Sequence, residues 1–117
     1  MRDFKRLTVW QRSHQLAISI HGEVDMFQGR HRFGLGDQLT RAAESVPANI
    51  AEGAGRESVK EFRRFLTIAI GSAAEVENHL ILAKALGQLH GNTADRYLVE
   101  LAEIMRMLSG LRRRVRS

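Results

Sequence analysis

Cysteine is absent from this 117-residue chain and proline occurs once. The missing thiols exclude a disulfide framework, a thiolate metal site and a cysteine nucleophile together, and they fit a reducing, cytoplasmic setting. Long apolar runs are missing too. The longest charge-free stretch, Phe65 to Ala74, is ten residues, far short of a membrane span. Arg2, Asp3, Lys5, Arg6, Arg12 and His14 interrupt the N-terminal segment, so it holds no apolar core of a signal peptide. No strand-like alternation, internal repeat or low-complexity segment occurs. A soluble, cytoplasmic protein with no membrane partner is expected.

The catalytic patterns of helical proteins are also missing. A di-iron carboxylate bundle needs glutamate followed three residues later by histidine on two helices, and no glutamate here has that partner. Glu75 and His79 are four apart and form a single pair. His-Glu-x-x-His is absent, and His14 and His21 share a helix face without acidic company. No arginine is followed by histidine after four to six residues, the spacing of ribonucleolytic helical bundles. Gly53-Ala54-Gly55-Arg56-Glu57-Ser58 resembles a phosphate-cradling loop only loosely, because it follows a helix and lacks a third glycine. No catalytic residue, metal site or cofactor is expected, and the chain reads as a non-enzyme.

What is present is a folded composition, 44% hydrophobic and 26% charged, in a length that suits one domain over residues 1–117. Net charge is +5, and fifteen of the eighteen basic residues are arginine, the side chain suited to bidentate phosphate contact. The excess is uneven. Arg106 to Ser117 holds five arginines (Arg106, Arg112, Arg113, Arg114 and Arg116) and no acid. Met1 to His14 holds Arg2, Lys5, Arg6 and Arg12 against Asp3 alone. Lys5, Arg6, Arg12 and the five C-terminal arginines are therefore the candidate nucleic-acid contacts. A solvated positive surface that aids solubility is the competing reading.

Apolar periodicity predicts four helices and an all-α, antiparallel up-down four-helix bundle. The first spans about 9–27, with Thr8 and Gln11 as a capping box and Val9, Ser13, Ala17, Ile20, Val24 and Phe27 as its buried stripe. The second spans 35–53 and carries Leu35, Leu39, Ala42, Val46 and Ile50. Pro47 inside it lacks the N–H that would bond the Ala43 carbonyl, so a kink is expected; two short helices with Ser45 capping the second is the alternative. Gly53 or Gly55 supplies the left-handed closing residue. The third spans 59–86, opens on a Ser58–Glu61 capping box and stops at Gly87. The fourth spans 93–115, with Tyr97, Leu101, Ile104, Leu108, Leu111 and Val115 stepping by fours and threes, as a bundle seam does.

The third helix has more apolar surface than one stripe needs. Phe62, Phe65, Leu66, Ala69, Ala73, Val76, Leu80 and Ala83 make an ordinary core face, yet Ile68, Ile70, Ile81, Leu82 and Leu86 fall outside it. Self-association is the simplest cover, with Ile70, Ile81 and Leu82 as the candidate contacts.

Arg32-Phe33-Gly34-Leu35, Gln38-Leu39-Thr40-Arg41-Ala42-Ala43, Ser45-Val46-Pro47-Ala48-Asn49-Ile50-Ala51-Glu52-Gly53, Glu61-Phe62 to Phe65-Leu66 and Ala69-Ile70-Gly71-Ser72-Ala73-Ala74-Glu75 together resemble one family. It is the four-helix-bundle proteins encoded in intervening sequences of bacterial 23S ribosomal RNA genes. More distantly, the chain is similar to the accessory variability proteins of diversity-generating retroelements. The resemblance implies four antiparallel helices assembled into a ring, a homopentamer, and association with nucleic acid, RNA or DNA, or with a protein partner. It leaves open the role of Asn49, Glu52 and Arg56. The residues themselves suggest that Asn49 and Glu52 complete polar contacts around Pro47, with ligand binding as the other possibility.

Overall fold

Four stretches whose apolar residues recur every three or four positions each bury one face, and that face decides where each helix lies. In the computed structural model, which describes residues 2–116, the helices are α1 (Thr8–Val24), α2 (Leu35–Ala54), α3 (Val59–Ala85) and α4 (Gly91–Arg114). A 3-10 turn at Phe4–Arg6 precedes α1, and a single helical turn at Arg30–Phe33 precedes α2. Each long helix packs on the next in sequence and α4 returns to α1, giving an antiparallel bundle of 48 × 22 × 20 Å. No strand occurs among the described residues.

The core is built from the expected stripes. Ile20, Leu39, Ile50, Phe62, Leu66, Leu80, Leu101, Ile104 and Leu108 are wholly enclosed. Phe27 stays buried although α1 closes at Val24. α2 and α3 share the most extensive contact, because small residues line it. A Cβ on Gly53 would lie 2.7 Å from the Phe65 Cβ and 3.0 Å from the Phe62 ring, so glycine lets the two backbones approach.

That contact corrects the expected stop. Neither Gly53 nor Gly55 is left-handed: Gly53 is helical, and Gly55 follows α2 in a right-handed conformation. Gly87 does close α3, with φ of 71°. Its N–H bonds the Lys84 carbonyl at 3.1 Å and the Gln88 N–H bonds Ala83 at 2.9 Å, the Schellman arrangement. The Ser58 hydroxyl caps α3 by accepting from the Glu61 N–H at 3.0 Å. Thr8 does not cap α1. The 3-10 turn places Leu7 at the cap position, and Gln11 instead donates to the Lys5 carbonyl at 2.8 Å. α4 starts at Gly91, two residues before the expected Thr93, with the His90 ring accepting from the Asn92 N–H at 3.2 Å.

α2 runs unbroken through Pro47, as one helix and not two. α3 is long and apolar enough, by length and composition alone, to cross a membrane, a test that the core helix of a bundle also passes. Glu75 and Glu77 stand within it, however, and carboxylates at a span's centre are costly.

Candidate nucleic-acid interface

An up-down bundle of four helices returns its C-terminus to the end where it began. α1 therefore starts where α4 finishes, beside the α2–α3 turn. The Arg2 N–H donates to the Ala54 carbonyl at 3.3 Å, and its guanidinium lies 4.6 Å from the Phe62 ring centre. Arg112 reaches α3, where its Nη1 donates to the Thr67 hydroxyl at 3.1 Å. The two basic segments, at opposite ends of the sequence, thus share one end of the molecule.

Within that end the candidate residues divide. Arg6, Arg106 and Arg114 line one groove of about 410 Å³ between the start of α1 and the last turns of α4. Its apolar wall includes Leu7, Met107 and Leu111. Arg113 shares a neighbouring groove with Arg106, Met105 and Ser109. Lys5 turns the other way, beside Phe4 and Ala51, with Asp3 at 4.0 Å. Arg116 is exposed past the end of α4.

Arg12 leaves the candidate set. Its Nε donates to Glu100 Oε2 at 3.0 Å, its Nη2 to Glu100 Oε1, and its Nη1 to Glu103 Oε1 at 2.8 Å. The hydrogen bonds it donates to Glu103 and then Glu100 hold the guanidinium pKa above its ordinary value. The same contact lowers the Glu103 carboxyl. An arginine with both carboxylates in place ties α1 to α4 and has little left for phosphate. Nearby, Tyr97 donates to Glu23 at 2.7 Å, and burial followed by that bond raises its pKa.

The Asn49, Glu52 and Arg56 group also separates. Asn49 Nδ2 donates to the Ser45 carbonyl at 2.8 Å and the Ser45 hydroxyl at 2.9 Å. That hydroxyl meets Ser72 of α3 at 2.9 Å. Asn49 thus makes polar contacts at Ser45, two residues before Pro47, and not at the Ala43 carbonyl, and the Ser45 hydroxyl carries them to the next helix. Glu52 makes no such contact; it pairs along the helix with Arg56 at 3.3 Å. The Arg56 guanidinium lies 5.1 Å from the Phe65 ring centre, and its Nε is buried without a partner.

A family model described as 23S rRNA-intervening sequence protein matches residues 5–110. The chain belongs to that family. Among curated proteins, none matches it. For this member of the 23S rRNA-intervening sequence family, the matched span takes in Lys5, Arg6, Asn49 and Arg106, whereas Arg112 to Arg116 lie beyond it.

Two further surfaces of the family member stand out. On α1, Trp10 stacks on His14 with centroids 4.6 Å apart and planes at 12°, and Phe4 meets Trp10 edge-on at 5.1 Å. The four-residue spacing of Trp10 and His14 was the available signal for this cluster; Phe4 joins it only through the turn before α1. On α3, Ile81, Leu82 and Ile68 are 54%, 42% and 39% exposed, and Leu86, just past its end, is 45% exposed. Ile70 is different: it is partly buried and packs on the core, so the bundle itself covers that part of the surplus. Among the described residues no three histidines or carboxylates converge as a metal site.

Proposed function

We propose that the protein is a non-enzymatic, cytoplasmic homo-oligomer, a pentameric ring, that binds nucleic acid, RNA foremost, through its arginine-rich end. The observation that carries this reading is the groove of Arg6, Arg106 and Arg114. Among the described residues, none of the three has a carboxylate within 4.0 Å, so their charge is available to a phosphate backbone. Family membership fits this association. The exposed apolar side chains of α3 support self-association, and a ring would repeat the basic end and multiply weak contacts.

The test is a salt titration of RNA binding. If the ends of one assembly neutralise about six phosphates, log affinity falls against log salt with a slope near −4 to −5. Raising salt from about 50 to 200 mM then weakens binding on the order of a thousandfold. Replacing Arg112, Arg113, Arg114 and Arg116 with alanine should flatten the slope while leaving the fold intact, since the buried seam of α4 is untouched. Binding that ignores salt would refute the proposal.

A second reading, a protein-interaction scaffold with no nucleic-acid role, draws on the pairing of Arg12 with Glu100 and Glu103 and on exposed Met26 and Phe33. Absence of RNA from protein purified at low salt, with no binding to added RNA or DNA, would favour it.

A further inference from the structure

The groove at the basic end has features that a diffuse positive surface lacks. Three guanidinium-bearing residues converge on one concavity of about 410 Å³, within the range of pockets that hold small ligands. Acids close by in sequence are engaged elsewhere. Glu103, one turn before Arg106, accepts from Arg12 at 2.8 Å, and Asp3 accepts from the Lys5 N–H at 3.1 Å. Glu103 still acts on Arg106 through space, but among the described residues no carboxylate is in direct contact with Arg6, Arg106 or Arg114, and such grouped positive charge favours an anion. Thr8 and Val9 line the same groove and open α1 without a side-chain cap, adding backbone donors to the arginines.

Gly110 shapes the site. It also lines the groove, and a Cβ there would lie 3.0 Å from Arg114 Nη1. The missing side chain lets Arg114 fold back along α4. Leu7, Met107 and Leu111 add an apolar wall, a surface suited to the face of a base.

We propose that this groove binds a nucleoside phosphate monoester, with the phosphate between Arg6, Arg106 and Arg114 and the base against the apolar wall. A monoester carries nearly two negative charges at neutral pH, against one for a backbone diester, and so matches a three-arginine site better. The source is either the phosphorylated end of a strand, which rests on the nucleic-acid reading above, or a free nucleotide.

The experiment compares a 5′-phosphorylated RNA oligonucleotide with its 5′-hydroxyl counterpart, and titrates AMP while following backbone amide shifts. For a strand end, the phosphorylated oligonucleotide should bind about tenfold more tightly, the effect of one or two charge-assisted contacts. For a free nucleotide, AMP should shift the amides of Leu7, Thr8, Val9 and Gly110 even if neither oligonucleotide binds. In that case the groove stands and the nucleic-acid reading falls. Gly110→Leu keeps every charge and fills the groove; it should abolish both the preference and the AMP shifts. Arg106→Gln with Arg114→Gln should do the same, with folding checked by circular dichroism. Equal affinity for the two oligonucleotides together with no AMP shifts at the groove overturns the proposal and leaves general RNA binding standing. Retention of the preference or the shifts in Gly110→Leu overturns it as well.

Discussion

Arg12 on α1 and Glu100 on α4 form a bidentate ion pair across the least extensive contact between neighbouring long helices. Glu103 completes it from the next turn. Arg12→Gln should lower stability by about 1 kcal/mol in chemical denaturation, the usual scale for a well-formed, partly exposed pair. Acid should reveal the same contact. Arg12 holds the Glu103 carboxyl below its ordinary 4.5 in the folded state, so its contribution is fully present above that pH. It is lost as pH falls through the lowered folded value. An acid-unfolding profile unchanged in Arg12→Gln would count against this clamp.

Gly53 and Gly71 should respond to alanine in opposite directions. At Gly53 the added methyl would meet the Phe65 Cβ at 2.7 Å, and overpacking of this kind costs about 1–3 kcal/mol. At Gly71 nothing lies within 4 Å, and exchanging a helix-interior glycine for alanine gains up to about 1 kcal/mol. Thermal melts of the two variants decide it; a stabilised Gly53→Ala would show that α2 and α3 are not held this closely.

Asn49→Ala should destabilise the bundle by about 1 kcal/mol, because the Ser45 carbonyl and hydroxyl lose a shared donor. Asn49→Asp should be at least as harmful, since a carboxylate has no proton to give that carbonyl. If both variants melt like the parent, the Asn49 contacts do not stabilise the region of Pro47.

Light scattering after size exclusion should give a mass several times 13.2 kDa. Ile81→Arg or Leu82→Arg should split the assembly at whichever position lies in the contact, because a buried unpaired charge costs about 3–5 kcal/mol. Ile70→Arg should instead perturb the fold of the single chain, as Ile70 packs on the bundle's own core. A monomer at micromolar concentration would remove self-association as the role of the exposed α3 surface.

Helix content, the core stripes and the Ser58 cap were legible in the residue order because each depends on spacing within one segment. So was the continuity of α2, whose apolar period does not shift at Pro47. Gly53 was misread as a stop, since a glycine that ends a helix and one that admits a neighbouring backbone look alike until the neighbour is placed. The arginines show the same division. Sequence alone determined that the chain is basic, arginine-rich and helical, with charge concentrated near both termini. Only the tertiary structure decided that Arg6, Arg106 and Arg114 share a groove while Arg12 is held by Glu100 and Glu103. The physical reason is that a guanidinium's role depends on which charges the fold brings within a few ångströms, and those residues come from helices distant in sequence.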